Sequence, residues 1–197
     1  MGYNFDKAQM KRVVLLLLAV AGLLGVSCSK KVAAPQGETE VIVPCSGPEY
    51  RTNNKYIRAS AVGLSGDINM AKKKALTEVS AQLASSMNQL VERVAINYGN
   101  SYQVGESEEA KSKFEDMAKI VVKEKLSGLR IICEKTMRTS DGKYKVYIAA
   151  ELAGDELMDG INSRVSKSIS NDTKLRIDYD YEKFKKVFEE EMSKLAE

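Results

Sequence analysis

The sequence predicts an α+β fold: a small antiparallel sheet, made of one N-terminal strand and a later hairpin, with a long helix and further helices packed on one face. Three observations carry this expectation. Apolar residues recur in steps of three and four from Ile68 to about Tyr98, the spacing of a single buried helix stripe. Two runs of alternating polarity flank Ser140-Asp141-Gly142-Lys143, and Asp-Gly is a strong hairpin signal. The resulting order, β-α-α-β-β-α-α, gathers strands and helices into packed layers.

Each element has its own local reason. Tyr56 to Leu64 is apolar and β-rich, and Gly63 and Gly66 punctuate its end. Asp67 then caps the long helix, whose stripe includes Ala71, Ala75, Val79, Leu83, Met87, Leu90 and Val94; Tyr98-Gly99-Asn100 is expected to stop it. Ser107-Glu108-Glu109 opens a second helix with Phe114, Met117, Ala118, Val121, Val122 and Leu126 on its stripe, and Gly128 is placed to end it in a left-handed cap. In the hairpin, Leu129, Ile131 and Cys133 alternate with Arg130, Ile132 and Glu134, while Tyr144, Val146, Ile148, Ala150 and Leu152 alternate with mostly polar neighbours. Asp155 caps a third helix carrying Leu157, Ile161, Val165 and Ile169. Beyond the Asn171-Asp172 break, Leu175 and Ile177 lead into a last helix with Phe184, Val187, Phe188 and Leu195, capped by Asp180.

The N-terminal part has a different character. Lys11-Arg12 precedes an apolar run from Val13 to Val26, then the small residue Ser27 and Cys28. The run spans 14 positions and contains Gly22 and Gly25, whereas a bilayer span needs about 20 mostly apolar residues. It suits the apolar core of an export signal. Leu24-Gly25-Val26-Ser27-Cys28 resembles a bacterial lipobox, with Gly25 where the strict pattern has Leu and Leu24 one residue further back. The resemblance implies a signal peptide at 1–27 and a lipidated N-terminus at Cys28, carrying a diacylglyceryl group and a third, palmitate-like acyl chain. Each buried methylene is worth about 0.8 kcal/mol, so several chains would make release slow. Ser29 is not the aspartate associated with inner-membrane retention in well-studied lipoproteins. Lys30-Lys31 lacks the acidic run associated with surface export. The expected location is therefore the outer membrane, with the body facing the periplasm.

Removal of residues 1–27 leaves 170 of the 197 residues, enough for one domain and a tether. The removed segment carries Lys7, Lys11 and Arg12 against Asp6, so the net charge falls from +3 to +1. Such a near-neutral body gives no electrostatic footprint for nucleic acid, and no polybasic face for membrane binding beyond the lipid is evident in the sequence. Residues 28–54 read as a lipidated N-terminus and flexible tether because they hold Pro35, Pro44 and Pro48, all 3 prolines of the chain, with Gly37 and Gly47. Val41-Ile42-Val43 could form a short strand that Pro44 would end. Residues 55–197 read as a single α+β domain.

Within that domain, Ala59-Ser60-Ala61-Val62-Gly63, Ala71-Lys72-Lys73-Lys74-Ala75 and Ala81-Gln82-Leu83-Ala84 resemble the strand-to-helix signature of a small bacterial outer-membrane lipoprotein family. This twenty-kilodalton-class domain is similar to the N-terminal domain of flagellar assembly protein T. Val146-Tyr147-Ile148 matches its downstream hairpin strand, and the likeness covers roughly residues 56–152. The family often has Ala-Arg where this chain has Ala71-Lys72. The resemblance implies a non-enzymatic envelope role and carries no catalytic residues.

The residues themselves promote no active site. The chain has 0 histidines, which removes the usual general base and the usual zinc ligand. No carboxylate pair is singled out by spacing for glycoside chemistry, and Ser127, Ser140 and Lys143 lie in no nucleophile motif. Asp178 and Asp180 are too few for a calcium site, and Lys72-Lys73-Lys74 reads more readily as a solvated helix face than as a phosphate site. No metal, cofactor or catalytic residue is expected. Cys45 and Cys133 form a candidate disulfide in an oxidising compartment, one that would pin the tether to the sheet; the alternative is a small buried Cys133 and a free thiol at Cys45. The expected function is that of a lipid-anchored envelope protein with a structural or interaction role, bound to the membrane through its acyl chains and to an envelope protein or its own copy. The alternative is a periplasmic module that binds cell-wall glycan or a small amphiphile between the long helix and the sheet.

Overall fold

The computed structural model describes residues 37, 39, 41–102, 108–171 and 179–196. The chain divides into two units, Met1–Val41 and Ile42–Glu197. The expected signal peptide and Cys28 lie outside the described residues, as do Ser107, Leu175, Ile177 and Asp178.

In the second unit, the described residues form strands β1 (Tyr56–Ser65), β2 (Arg130–Arg138) and β3 (Tyr144–Ala153) and helices α1 (Ile68–Tyr102), α2 (Glu108–Lys125), α3 (Gly154–Asn171) and α4 (Tyr181–Leu195). The sheet is antiparallel with order β1-β3-β2. This is the α+β architecture expected from the sequence.

The inner face of the sheet follows from the register. Ile57, Ala59, Ala61 and Gly63 pair with Leu152, Ala150, Ile148 and Val146, and all of these carbon-rich positions turn toward α1. The α1 stripe Ala71, Ala75, Val79, Leu83 and Met87 is fully buried and packs into the same core as Ile148, Leu157, Ile161 and Phe184. Small residues at 71 and 75 let the helix lie close to β1. Beyond the sheet, α1 continues along α2 and α4, so one long helix serves two layers of packing. At that end Tyr98, Phe114, Tyr179, Phe184 and Phe188 form an aromatic cluster with centroids 5.7–6.4 Å apart.

Several expectations are corrected. Helix α1 runs through Gly99 and Asn100 to Tyr102; a single glycine costs about 1 kcal/mol in a helix but does not force an end. Gly128 forms no left-handed cap: α2 gives way to a 3-10 turn, Leu126–Gly128, and positive φ occurs among described glycines at Gly37 and Gly142. Asp155 sits in the first turn of α3 rather than preceding it, because β3 runs straight into Gly154, whose N–H donates to the Lys55 carbonyl. Asp180 does cap α4, its side chain accepting from the Lys183 N–H.

The largest correction concerns residues 42–54, expected as part of a flexible tether held to the sheet at most by the candidate Cys45–Cys133 bond. From Ile42 onward they belong to the folded unit. No strand forms at 41–43; the chain turns at Pro44-Cys45 and enters a 3-10 turn at Pro48–Tyr50. Thr52 Oγ1 then accepts from the Arg58 N–H and donates to the Arg58 carbonyl at 3.0 and 3.1 Å, occupying part of the free edge of β1. Proline and glycine content marked this segment as irregular, which it is; irregular backbone can still be held by side-chain and disulfide contacts.

Candidate functional site

The site to consider is the outer face of the sheet, which no described helix covers. Alternation puts Tyr56, Arg58, Ser60, Val62 and Leu64 of β1 on it, opposite Ala153, Glu151, Ala149, Tyr147 and Lys145 of β3. On β2 the register shifts between Ile131 and Cys133, so Ile132 is an extra, unpaired residue. The bulge turns Ile131 inward beside Ala150 and Cys133 outward beside Ala149. Simple alternation would have kept Ile131 and Cys133 on one face. Past the bulge, Cys133, Lys135 and Met137 face outward and Glu134 faces inward, where it meets Lys72 of α1 at 2.9 Å.

The middle of this face is crossed by the chain from Ile42 to Lys55. Cys45 and Cys133 form a disulfide with Cα atoms 5.6 Å apart. The bond seats the crossing segment at Cys133 on β2, and Thr52 seats it at Arg58 on β1. Where it crosses, its own Cys45 and Ala149 of β3 are both buried. Cys45 adopts φ 57°, a left-handed conformation that non-glycine residues seldom take unless held there.

On one side of the strap lies an ionic cluster. Glu151 is 2% exposed, yet it is charged and satisfied: Arg58 Nε donates to Oε2 at 2.7 Å and Arg130 bonds Oε1. Both guanidiniums stack on the Tyr56 ring, at 5.0 and 5.7 Å from its centroid. Burial by itself pushes the Glu151 carboxyl up, but the hydrogen bonds from Arg58 and Arg130 outweigh it and hold the group below the usual glutamate range. A carboxylate so held is neither a general acid nor a mobile base. A shallow depression of about 280 Å³ opens beside it, between Arg130, Glu151 and Glu156.

On the other side of the strap the face is apolar and basic. Val62 is 49% exposed, Leu64 43% and Met137 46%, and Lys145 stands between Leu64 and Met137 in the register, as Tyr147 stands between Val62 and Lys135. Lys135 and Lys145 make no ion pair among the described residues. Sequence reading missed this patch. Its signal was present in β1, where Val62 and Leu64 continue the outward register of Arg58 and Ser60, but the bulge hid the matching positions on β2.

The remaining sequence candidates are placed as follows. Lys72 pairs with Glu134, and Lys74 Nζ donates to the Leu64 carbonyl, so the lysine run bridges α1 to the sheet. Ser127 Oγ donates to the Glu124 carbonyl and Lys143 pairs with Asp141, so neither is poised toward the other's chemistry. Within the turn, hydrogen bonds from Lys143 and then Thr139 hold the Asp141 carboxyl down at about 2. Among the described residues no group of three His, Cys, Asp or Glu side chains is placed to hold a metal ion, and no helix is long and apolar enough to cross a membrane. The interface between α1 and the sheet, where a ligand pocket was one expectation, is filled by the fully buried Ala71, Ala75, Val79 and Leu83 against Ile57 and Ile148.

No family model, no curated protein and no solved structure matches the chain.

Proposed function

We propose that the chain is a lipid-anchored bacterial envelope protein, acylated at Cys28, with a non-enzymatic structural or interaction role at the outer membrane and its body in the periplasm. The observation that carries this reading is the export-signal layout ending at Cys28, Lys11-Arg12 followed by the apolar run and Ser27. The Cys45–Cys133 disulfide supports it, since such bonds persist in oxidising compartments. The resemblance of residues 56–152 to the small outer-membrane lipoprotein domain belongs to the same proposal. Against the alternative of a glycan- or amphiphile-binding module stands the filled helix–sheet interface, where apolar side chains occupy the volume a ligand would need.

The test is intact mass of protein extracted from membranes, beside a Cys28→Ala variant, with fractionation of both. Loss of residues 1–27 together with an acyl increment, abolished in the variant, is the expected result. An uncleaved, unacylated chain would overturn the proposal.

A further inference from the structure

We propose that the outer face of the sheet, on the side of the strap carrying Val62, Leu64, Tyr147 and Met137, lies against the anionic surface of a lipid bilayer. The inference rests on the membrane-anchored reading above and names the surface that the anchored body presents to its own membrane.

Charge is the first argument. On this side of the strap the outward strand positions hold Lys135 and Lys145 and no acid, while across the strap Arg58 and Arg130 outnumber the single acid Glu151 that they hold. The strap adds Arg51 and Lys55 against Glu49. Glu134, the neighbouring acid on β2, is turned inward to Lys72 by the bulge. A body of nearly neutral composition therefore concentrates basic charge on one face. Each basic residue near an anionic bilayer raises partitioning about fivefold.

Chemistry at the patch is the second. Val62, Leu64 and Met137 are exposed side chains without polar atoms, interleaved with lysines whose flexible stems can lie along the hydrocarbon boundary while the ammonium stays among headgroups. Tyr147 has the apolar body and polar tip common at that boundary. Shallow burial of a few such groups with electrostatic attraction is how peripheral proteins hold to bilayers.

The path of the chain is the third. The segment that would bear the acyl chains joins the body through Ile42 and Cys45, and Cys45 is covalently seated on this same face. Ile42 is 89% exposed and Val43 is also exposed, immediately before that attachment. Between Cys28 and Cys45 the chain can reach at most about 60 Å, so an anchored body remains near its membrane. The disulfide fixes Cys45, the last held point before the chain runs back toward Cys28, on this face.

The experiment is lysine footprinting by acetylation and mass spectrometry. The protein extracted from cell membranes, with whatever acyl chains it carries, is reconstituted into vesicles of phosphatidylcholine alone or with phosphatidylglycerol. Lys123 on α2 and Lys186 on α4, both exposed, serve as references. On anionic vesicles Lys135 and Lys145 are expected to label at least threefold more slowly relative to these references than on neutral vesicles, and Leu64→Glu with Met137→Glu should abolish the difference. Circular dichroism of that variant checks that it folds; should it not, Lys145→Gln, read through Lys135 alone, replaces it and should reduce the protection. Equal labelling on both lipids, with the protein floating with the vesicles, would overturn the docking face while leaving the anchor intact. Failure to float, with no acyl mass, would overturn the anchor reading instead. Protection in native membranes that vanishes on pure lipid vesicles would overturn the lipid assignment in favour of a protein partner.

Discussion

Gly63 on β1 stands directly against Ala71 on α1. A Cβ at Gly63 would fall 2.7 Å from the Ala75 nitrogen and closer still to the Ala71 carbonyl oxygen, so hydrogen at this position is what lets strand and helix touch backbone to backbone. The atoms it would meet belong to the helix backbone and cannot rotate aside. Gly63→Ala is therefore expected to destabilise the domain by about 3 kcal/mol, at the upper end for overpacking, and Gly63→Val by more. Urea denaturation followed by circular dichroism measures it. A Gly63→Ala variant within about 0.5 kcal/mol of the parent would show that the two elements separate freely.

That contact also shows how much of the fold was legible. Ala59-Ser60-Ala61-Val62-Gly63 and the alanines at 71 and 75 announce a strand and a helix, and small residues at both hint that they lie close. Helix stripes were legible because their period is local, as Val79, Leu83 and Met87 illustrate. The crossing of residues 42–54 over the sheet was legible at one hold, the candidate pair Cys45–Cys133, but not at the other, Thr52–Arg58, whose partner periodicity does not identify. Nor was the Ile132 bulge, which moves Cys133, Lys135 and Met137 to the outer face by one extra residue that leaves no compositional trace. The basic, apolar patch was legible only in part, at Val62 and Leu64 on β1, because the bulge resets the β2 positions that complete it.

Glu151 should give the domain an acid-sensitive component of stability. Its folded pKa is depressed by Arg58 and Arg130, so the contribution is fully present above the unfolded value, near 4.3, and is lost as pH falls through the lower folded value. Glu151→Gln keeps the shape but leaves Arg58, mostly buried, without its counter-charge. The variant is expected to lose about 2 kcal/mol at pH 7, less than a fully buried pair would cost because Arg130 is 67% exposed. The deficit should shrink below about pH 4. Thermal denaturation of both proteins from pH 3 to 7 tests this; parallel curves across that range would remove Glu151 as the source.

Tyr98 ties the far part of α1 to the start of α4. Its hydroxyl accepts from the Asp180 N–H at 2.8 Å and donates to the Asp180 carbonyl at 3.2 Å, while the Asp180 side chain caps the helix through Lys183. Tyr98→Phe would leave a part-buried N–H without that acceptor, at about 1–2 kcal/mol; Asp180→Ala would remove the cap at about 1 kcal/mol. Native-state hydrogen exchange separates them. Tyr98→Phe should accelerate the Asp180 amide and Asp180→Ala the Lys183 amide. Unchanged exchange at both sites would mean that α4 is held by its buried residues, Phe184, Val187, Phe188 and Met192, without these bonds.

The Cys45–Cys133 bond closes a loop across 88 positions, and in the chain-entropy account such a cross-link stabilises the folded state by about 4–5 kcal/mol. Cys133→Ser and Cys45→Ser should each cost up to that amount, and the double variant no more than either single one, since all three remove the same constraint. Reduction should act locally before it acts globally. Freed of its partner, Cys45 gains by leaving its left-handed conformation at φ 57°. Residues 43–50 would then lift from the sheet while Thr52 and the β2–β3 hairpin remain. Hydrogen exchange with and without reductant is the measurement: fast exchange confined to the strap is expected, with the β3 amides still protected. Retention of strap protection after reduction would mean that Thr52 and the burial of Cys45 hold the segment without the covalent bond.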